Sequence, residues 1–257
     1  MKTAQLRSGI AYGPLHSRRF GVSLGINILP EDCKLCTFSC VYCEHKDKPG
    51  KISKVPSYED IFLGVGLEFQ RVAQEKKHLD WVIISGNGEP TLHPDFPEIV
   101  KMVLMLRDRY LPGVYVGVLS NSSTCGDPKV RQALELLDGR FMKLDAGSMY
   151  KFHDLNRPST MFAWGDVVEG LCELPHVAIQ SMFVTGKVDN TDEQSVLDWI
   201  DAVECVHPDE VQIYTIDQTP QEAGILPVEE TVLLDIAERL RKKTGIPAHV
   251  YTGGTEL

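Results

Sequence analysis

The sequence predicts an α/β protein folded as one domain over residues 1–257, a partial (β/α)6 barrel. Three observations point there. Short β-branched runs alternate with longer amphipathic stretches, the pattern that builds a parallel sheet with helical crossovers. The runs number six, too few to close an eight-stranded barrel. One irregular segment, Leu29–Pro56, is longer than an ordinary βα loop, and such loops tend to carry function.

The strands are expected at Val22–Ile28, Trp81–Ser85, Val114–Leu119, Phe141–Ala146, His176–Val184 and Val211–Ile216. Helices fill most of the gaps. Ser57, with Asp60 three residues on, predicts a capped helix start. Asp127 precedes Pro128, which suits a first helical position. Thr191 and Gln194 form an expected capping box before Val196–Val203. The last helix should run from Val228 to Lys243 and stop at Gly245.

Composition excludes several classes. With 43% hydrophobic and 24% charged residues the chain has enough apolar surface for a core, so it is not a disordered segment. No apolar run reaches the length that spans a bilayer, and the first residues lack the apolar stretch of a secretory signal. A cytoplasmic location is therefore expected. Acidic residues outnumber basic ones, 36 to 26, giving a net charge of −10 that argues against broad nucleic-acid binding. Arg18 and Arg19 remain as a local basic pair.

Seven cysteines, at 33, 36, 40, 43, 125, 172 and 205, make a poor disulfide framework. Four of them fall within residues 33–43, and that crowding asks for a metal. Cys36, Cys40 and Cys43 follow C-x3-C-x2-C, which lets one loop wrap an iron–sulfur cluster with three thiolates and leaves one iron open. Zinc is the competing reading, because C-x2-C occurs twice, as Cys33–Cys36 and Cys40–Cys43. Cys33 reads as a spare thiol or a redox neighbour of the cluster. Cys125, just past the third strand, is the candidate catalytic cysteine, as hydrogen-atom donor or covalent carrier. Cys172 and Cys205 sit on helical patterns and are expected in the core.

In βα barrels chemistry gathers at the C-terminal ends of the strands. After the second strand comes Gly86-Asn87-Gly88-Glu89, where glycines allow close backbone approach and Glu89 adds a carboxylate. The third strand ends at Ser120-Asn121. Lys143 and Asp145 alternate onto one face of the fourth, where two charges need a cavity or each other. The fifth offers Gln180 and Ser181, the sixth Tyr214 and Asp217.

Cys36-x3-Cys40-Val-Tyr42-Cys43 resembles the signature of the radical S-adenosylmethionine (SAM) superfamily, including the aromatic residue before the last cysteine. The resemblance implies a radical SAM type of partial barrel. It also implies a [4Fe–4S] cluster on Cys36, Cys40 and Cys43, whose open iron takes the amino and carboxylate groups of SAM. An electron donor such as flavodoxin or ferredoxin would then drive SAM cleavage to a 5′-deoxyadenosyl radical. Gly86, Asn87, Gly88 and Glu89 are similar to the superfamily segment that holds the SAM amino group, with Asn87 where glycine is usual. Tyr42, Ser120, Asn121, Lys143, Asp145, Gln180, Ser181 and Tyr214 are the further expected SAM contacts.

Within the superfamily the chain is similar to wyosine-synthase-like proteins. The similar stretches are Ser85–Leu92 with His93-Pro94, Ser120-Asn121, Lys143–Ala146 and Asn156-Arg157-Pro158. The long basic N-terminal region and second cysteine group of that synthase have no counterpart here. The favoured function is a radical SAM enzyme for a small molecule or peptide, with radical methyl transfer as one option. A tRNA-modifying enzyme would need a basic face from Arg7, Arg18, Arg19, Lys46, Lys48 and Lys51. A non-enzymatic iron–sulfur or zinc module is the third reading.

Overall fold

The computed structural model describes residues 6–45, 54–159, 162–220 and 222–252. In chain order the elements begin with a hairpin, β1 (Ala11–Ser17) and β2 (Gly21–Ile26), followed by α1 (Tyr58–Gln74) and β3 (Trp81–Ile84). Next come α2 (Phe96–Tyr110), β4 (Tyr115–Ser120), α3 (Pro128–Glu135) and β5 (Gly139–Lys143). Then α4 (Met149–Asn156) and α5 (Trp164–Cys172) precede β6 (Ala178–Phe183) and β7 (Thr185–Gly186). The chain continues through α6 (Glu193–Val206), β8 (Glu210–Thr215) and β9 (Ile225–Leu226) to α7 (Glu230–Thr244) and β10 (Ala248–Tyr251).

One sheet has the order β1-β2-β3-β4-β5-β6-β8-β10. All its neighbours are parallel except β1 and β2. The sheet curls into a half-barrel, the expected partial (β/α) architecture. The six expected strands are its inner six. The edge strands β1 and β10 were not anticipated. Gly13-Pro14 interrupts the alternation that would announce β1, and β10 is only four residues long. β7 and β9 pair separately as a short antiparallel ribbon.

Local chemistry accounts for the helices. Ser57 and Asp60 form a reciprocal capping box, and α1 then buries Ile61, Val65, Phe69 and Val72 at helical spacing. Asp127 caps α3 ahead of Pro128, and Gly245 ends α7 in the left-handed region at φ 74°. The cap of α6 differs by one residue from expectation. Asp192, rather than Thr191, accepts from the Ser195 amide, since a carboxylate at that position also takes the Ser195 hydroxyl. Cys172 and Cys205 are a second difference. Both are exposed, on facing positions of α5 and α6, instead of in the core.

The outward face of the sheet packs on the helices to form the main core. The lumen is plugged at one end by a separate apolar cluster. Phe20, from the β1–β2 turn, meets Phe141 edge-on at 4.6 Å and Trp81 at 6.3 Å. Trp199 locks α6 to the sheet, its indole N–H shared between the Leu144 carbonyl and the Ser181 hydroxyl, each at 3.0 Å. Trp199→Ala should cost about 3–5 kcal/mol in equilibrium denaturation. The Asp192→Ala cap variant should cost only about 1 kcal/mol.

Candidate active site

The cysteine loop lies across the C-terminal ends of the strands and is docked on two sides. On one side Leu35 pairs with the loop after β3: its N–H donates to the Asn87 carbonyl at 2.9 Å, and its carbonyl accepts from Glu89 N–H at 2.8 Å. Only glycine fits opposite. Gly88 has φ +138°, and a Cβ there would overlap the Leu35 carbonyl. On the other side Ser39 N–H donates to the Asn156 carbonyl (3.0 Å), Val41 N–H to Leu155 (2.9 Å) and Ser159 N–H to Thr37 (2.9 Å).

This docking places Cys36, Cys40 and Cys43 on the wall of one cavity of about 230 Å3. Tyr42, Gly86, Gly88, Glu89, Ser120, Asn121, Lys143, Gln180 and Tyr214 line the same space. Three of the expected contacts do not line it. Asn87 is a clamp: its side chain donates to the Pro30 carbonyl at 2.8 Å and the Arg7 carbonyl at 2.9 Å. Its position where glycine is usual in the resembled segment thereby has a physical role. Ser181 faces α6 instead of the cavity, because it alternates with Gln180: it donates to the Leu144 carbonyl at 2.6 Å and accepts from the Trp199 indole at 3.0 Å.

Asp145 is the third, and it organises the far side of the cavity. Its carboxylate accepts from the Tyr42 hydroxyl, from Asn156 Nδ2 at 2.7 Å and from Met182 N–H at 2.8 Å. Lys143 Nζ stands 3.6 Å away and donates to the Tyr214 hydroxyl at 2.8 Å. Burial pulls the Lys143 amine down, but Asp145, Tyr214 and Cys40 outweigh it and hold the ammonium charged. Burial, then Asp145, pushes the Tyr42 phenol well up, so it stays a donor.

Glu89 faces the near side. Its carboxylate accepts from Thr91 N–H (3.1 Å) and Oγ1 (2.6 Å), from Ser120 Oγ (2.9 Å) and from Asn121 N–H. Burial raises its pKa despite these donors. The carboxylate thus fixes the strand ends before any ligand arrives.

Two amides reach the thiols. Asn121 Nδ2 donates to Cys36 Sγ and Asn156 Nδ2 to Cys40 Sγ, each at 3.5 Å. Burial, followed by the Cys40 and Glu89 charges, pushes the Cys36 thiol up to about 12, and Cys40 is raised as well. A metal centre would therefore displace protons on binding. Among the described residues no three His, Cys, Asp or Glu side chains converge on one point as a mononuclear site requires. Three thiols on the wall of one cavity, two of them with amide donors to sulfur, fit a [4Fe–4S] cluster held by Cys36, Cys40 and Cys43.

The remaining cysteines lie elsewhere. Cys33 is buried off the cavity wall, and Cys125 is fully buried in the main core, its thiol pushed up to about 12 by burial and then Glu89. Sequence reasoning missed Asn156 as a thiol partner, and Arg19 and His45 as parts of the cavity wall. Asn156 had a visible signal, standing in one of the similar stretches. Of the basic face, Arg7 and Arg19 border cavities and Arg18 bonds the Thr252 carbonyl. Lys46, Lys48 and Lys51 lie outside the described residues.

No family model matches the chain. It is 30% identical over 234 residues to the UPF0026 protein MJ1312 of Methanocaldococcus jannaschii, covering 88% of this chain and 70% of that protein. The chain belongs to the UPF0026 family. It is also 26% identical over 215 residues to a protein of Brachyspira hyodysenteriae named GTPase Obg, covering 82% of this chain but only 30% of that protein. Among solved structures it is similar to TYW1 with a lysine–pyruvate adduct bound: TM-score 0.64, 17% identity, 86% of this chain and 74% of that one. A radical SAM methyltransferase from Sphaerobacter thermophilus gives TM-score 0.67 at 13% identity, over 90% of this chain and 66% of that one. These likenesses show the fold of the radical SAM superfamily, as expected from the sequence.

The docking of the loop yields a test. Gly88→Ala should cost at least about 3 kcal/mol, from backbone strain and lost main-chain hydrogen bonds. It should also lower iron uptake on reconstitution. Gly126→Ala, where an added Cβ meets nothing within 4 Å, should change neither in the same denaturation and iron assays.

Proposed function

We propose that this UPF0026 protein is a radical SAM enzyme acting on a small molecule or peptide. The observation that carries the reading is the single cavity at the strand ends. It joins the three C-x3-C-x2-C thiols to the Gly86–Glu89 loop, Ser120, Asn121, Lys143 and Tyr214. A structural metal module needs no such lumen. When bound, a [4Fe–4S] cluster with SAM supplies one-electron cleavage of SAM and a carbon radical for hydrogen abstraction.

The chain's own residues would do the rest. Cys36, Cys40 and Cys43 hold the cluster, and Asn121 and Asn156 donate to its sulfur ligands. The backbone of Gly86 and Gly88 borders the space where the amino acid end of SAM would lie, and its ammonium would find the Glu89 carboxylate on the same wall. Lys143, fixed by Asp145 and Tyr214, offers a charge to the opposite end. The apolar plug of Phe20, Trp81 and Phe141 closes the lumen to water from one end. An external one-electron donor of the flavodoxin or ferredoxin kind, and a cytoplasmic location, belong to this proposal.

Methyl transfer is an option that one structural neighbour's name brings. A lysine–pyruvate adduct is described for TYW1, and it is not carried over to Lys143. The GTPase name is not carried over. The chain spans 30% of that relative, and the sequence has no G-x4-G-K-[ST] phosphate loop.

Anaerobic reconstitution should give brown protein with about four irons per chain. With SAM and dithionite it should release 5′-deoxyadenosine. Replacing Cys36, Cys40 and Cys43 together by Ala should abolish both, while Cys33→Ala should retain them. Stoichiometric zinc with no iron uptake would sink the reading. Asp145→Ala should weaken SAM binding and slow 5′-deoxyadenosine formation while the cluster absorbance persists. Bulk tRNA should be retained only weakly at physiological salt; salt-resistant retention of one tRNA would promote the tRNA-modifying alternative.

A further inference from the structure

A second cavity of about 360 Å3 adjoins the cluster cavity, between the β1–β2 hairpin and the cysteine loop. The two share Arg19, His45, Gly86, Gly88 and Leu119 as common wall. The second is within the size range of small-molecule sites, roughly 300–1,000 Å3. Nothing in the site described so far uses it.

Among the described residues, two polar groups in that shared wall make no side-chain hydrogen bond. Among the described residues, His45 Nδ1 is the buried side-chain nitrogen or oxygen without a hydrogen bond. Buried polar atoms are rarely left so, and each one calls for an explanation. The Arg19 guanidinium makes no side-chain hydrogen bond or close ion pair among the described residues, although the Glu44 charge is near enough to act on it. Ring faces hold it instead, 4.8 Å from the Tyr214 centroid and 5.5 Å from that of Phe20. A guanidinium pinned by aromatic rings keeps its planar fork of donors free and oriented, the arrangement that receives a carboxylate or phosphate in two parallel bonds.

We propose that this cavity is the substrate site and that Arg19 and His45 select a small molecule carrying a carboxylate or phosphate group. The acid group would lie on the Arg19 fork and a second polar atom on His45 Nδ1. The rest of the molecule would extend past Gly86 and Gly88 toward the cluster cavity. Glu44 and Asp217 also face this space, and both are already engaged with partners. Their charges disfavour a polyanion and so favour a ligand with one acid group. Calling the occupant a substrate rests on the radical SAM reading; the anion seat itself does not.

Calorimetric titration of the reconstituted protein with propionate and with inorganic phosphate tests the seat. At least one should bind saturably, and Arg19→Gln should weaken it by about tenfold or more. Arg19→Lys, which keeps the charge without the fork, should fall between. Circular dichroism checks that both variants fold. Saturable binding should persist with SAM present in excess. Absence of saturable binding to iron-loaded wild type overturns the proposal, as does equal binding to a folded Arg19→Gln. Displacement by SAM also overturns it, because the seat would then serve the SAM carboxylate. Failure of the class reading has a separate signature, a chain that takes up no iron.

Discussion

The arrangement of the site depends on a main-chain pairing, the bridge of Leu35 to the backbone around Gly88. The cysteines sit on a segment outside the regular strands and helices, so their mutual spacing means little until that segment is fixed to the barrel. The bridge supplies two backbone hydrogen bonds, and buried amides hold the segment's start. Asn27 Oδ1 accepts from Asn87 N–H at 3.2 Å, and Asn87 in turn donates to the Pro30 carbonyl. A side chain at residue 88 would force these apart. The glycine pattern is therefore first a requirement of loop docking and only then a provision for ligand space.

Two buried carboxylates extend this constraint to the thiols in parallel ways. Glu89 fixes the Asn121 backbone, and the Asn121 side chain reaches Cys36. Asp145 binds the Asn156 side chain, which reaches Cys40. Each of these two thiols thus has an amide donor whose orientation is set by a carboxylate that several donors already hold. Such supporting contacts orient metal ligands and tune their electron density. Neither carboxylate needs an exogenous ligand to be stable in its place, so the cavity is preorganised.

The barrel was legible because its six inner strands are largely buried and read as short apolar runs, most of them with β-branched residues. Edge strands carry no such signature, which is why β1 and β10 escaped notice. The cavity wall was legible where residues fall at strand ends in sequence order, as for Ser120, Asn121, Lys143, Gln180 and Tyr214. It was not legible where the fold alone creates the contact. Arg19 enters from a hairpin turn and Asn156 from the end of α4, neither of them a strand end. Likewise the helical patterns around Cys172 and Cys205 gave no indication that both thiols face solvent.

Net charge proved a poor guide to the lumen. Acidic residues such as Glu59, Asp60, Glu68, Glu193 and Asp198 sit on the helices, outside the sheet. The lumen holds carboxylates too, but it also sets cations against aromatic rings. Tyr214 lies between two of them, with Arg19 4.8 Å and Lys143 5.3 Å from its ring centroid. Two cations sharing one ring repel each other, and the repulsion is stronger in a low-dielectric lumen than in water. Asp145 answers the charge of Lys143 at 3.6 Å. Arg19 has no carboxylate at ion-pair distance among the described residues, so an arriving acid group would offset the repulsion already present.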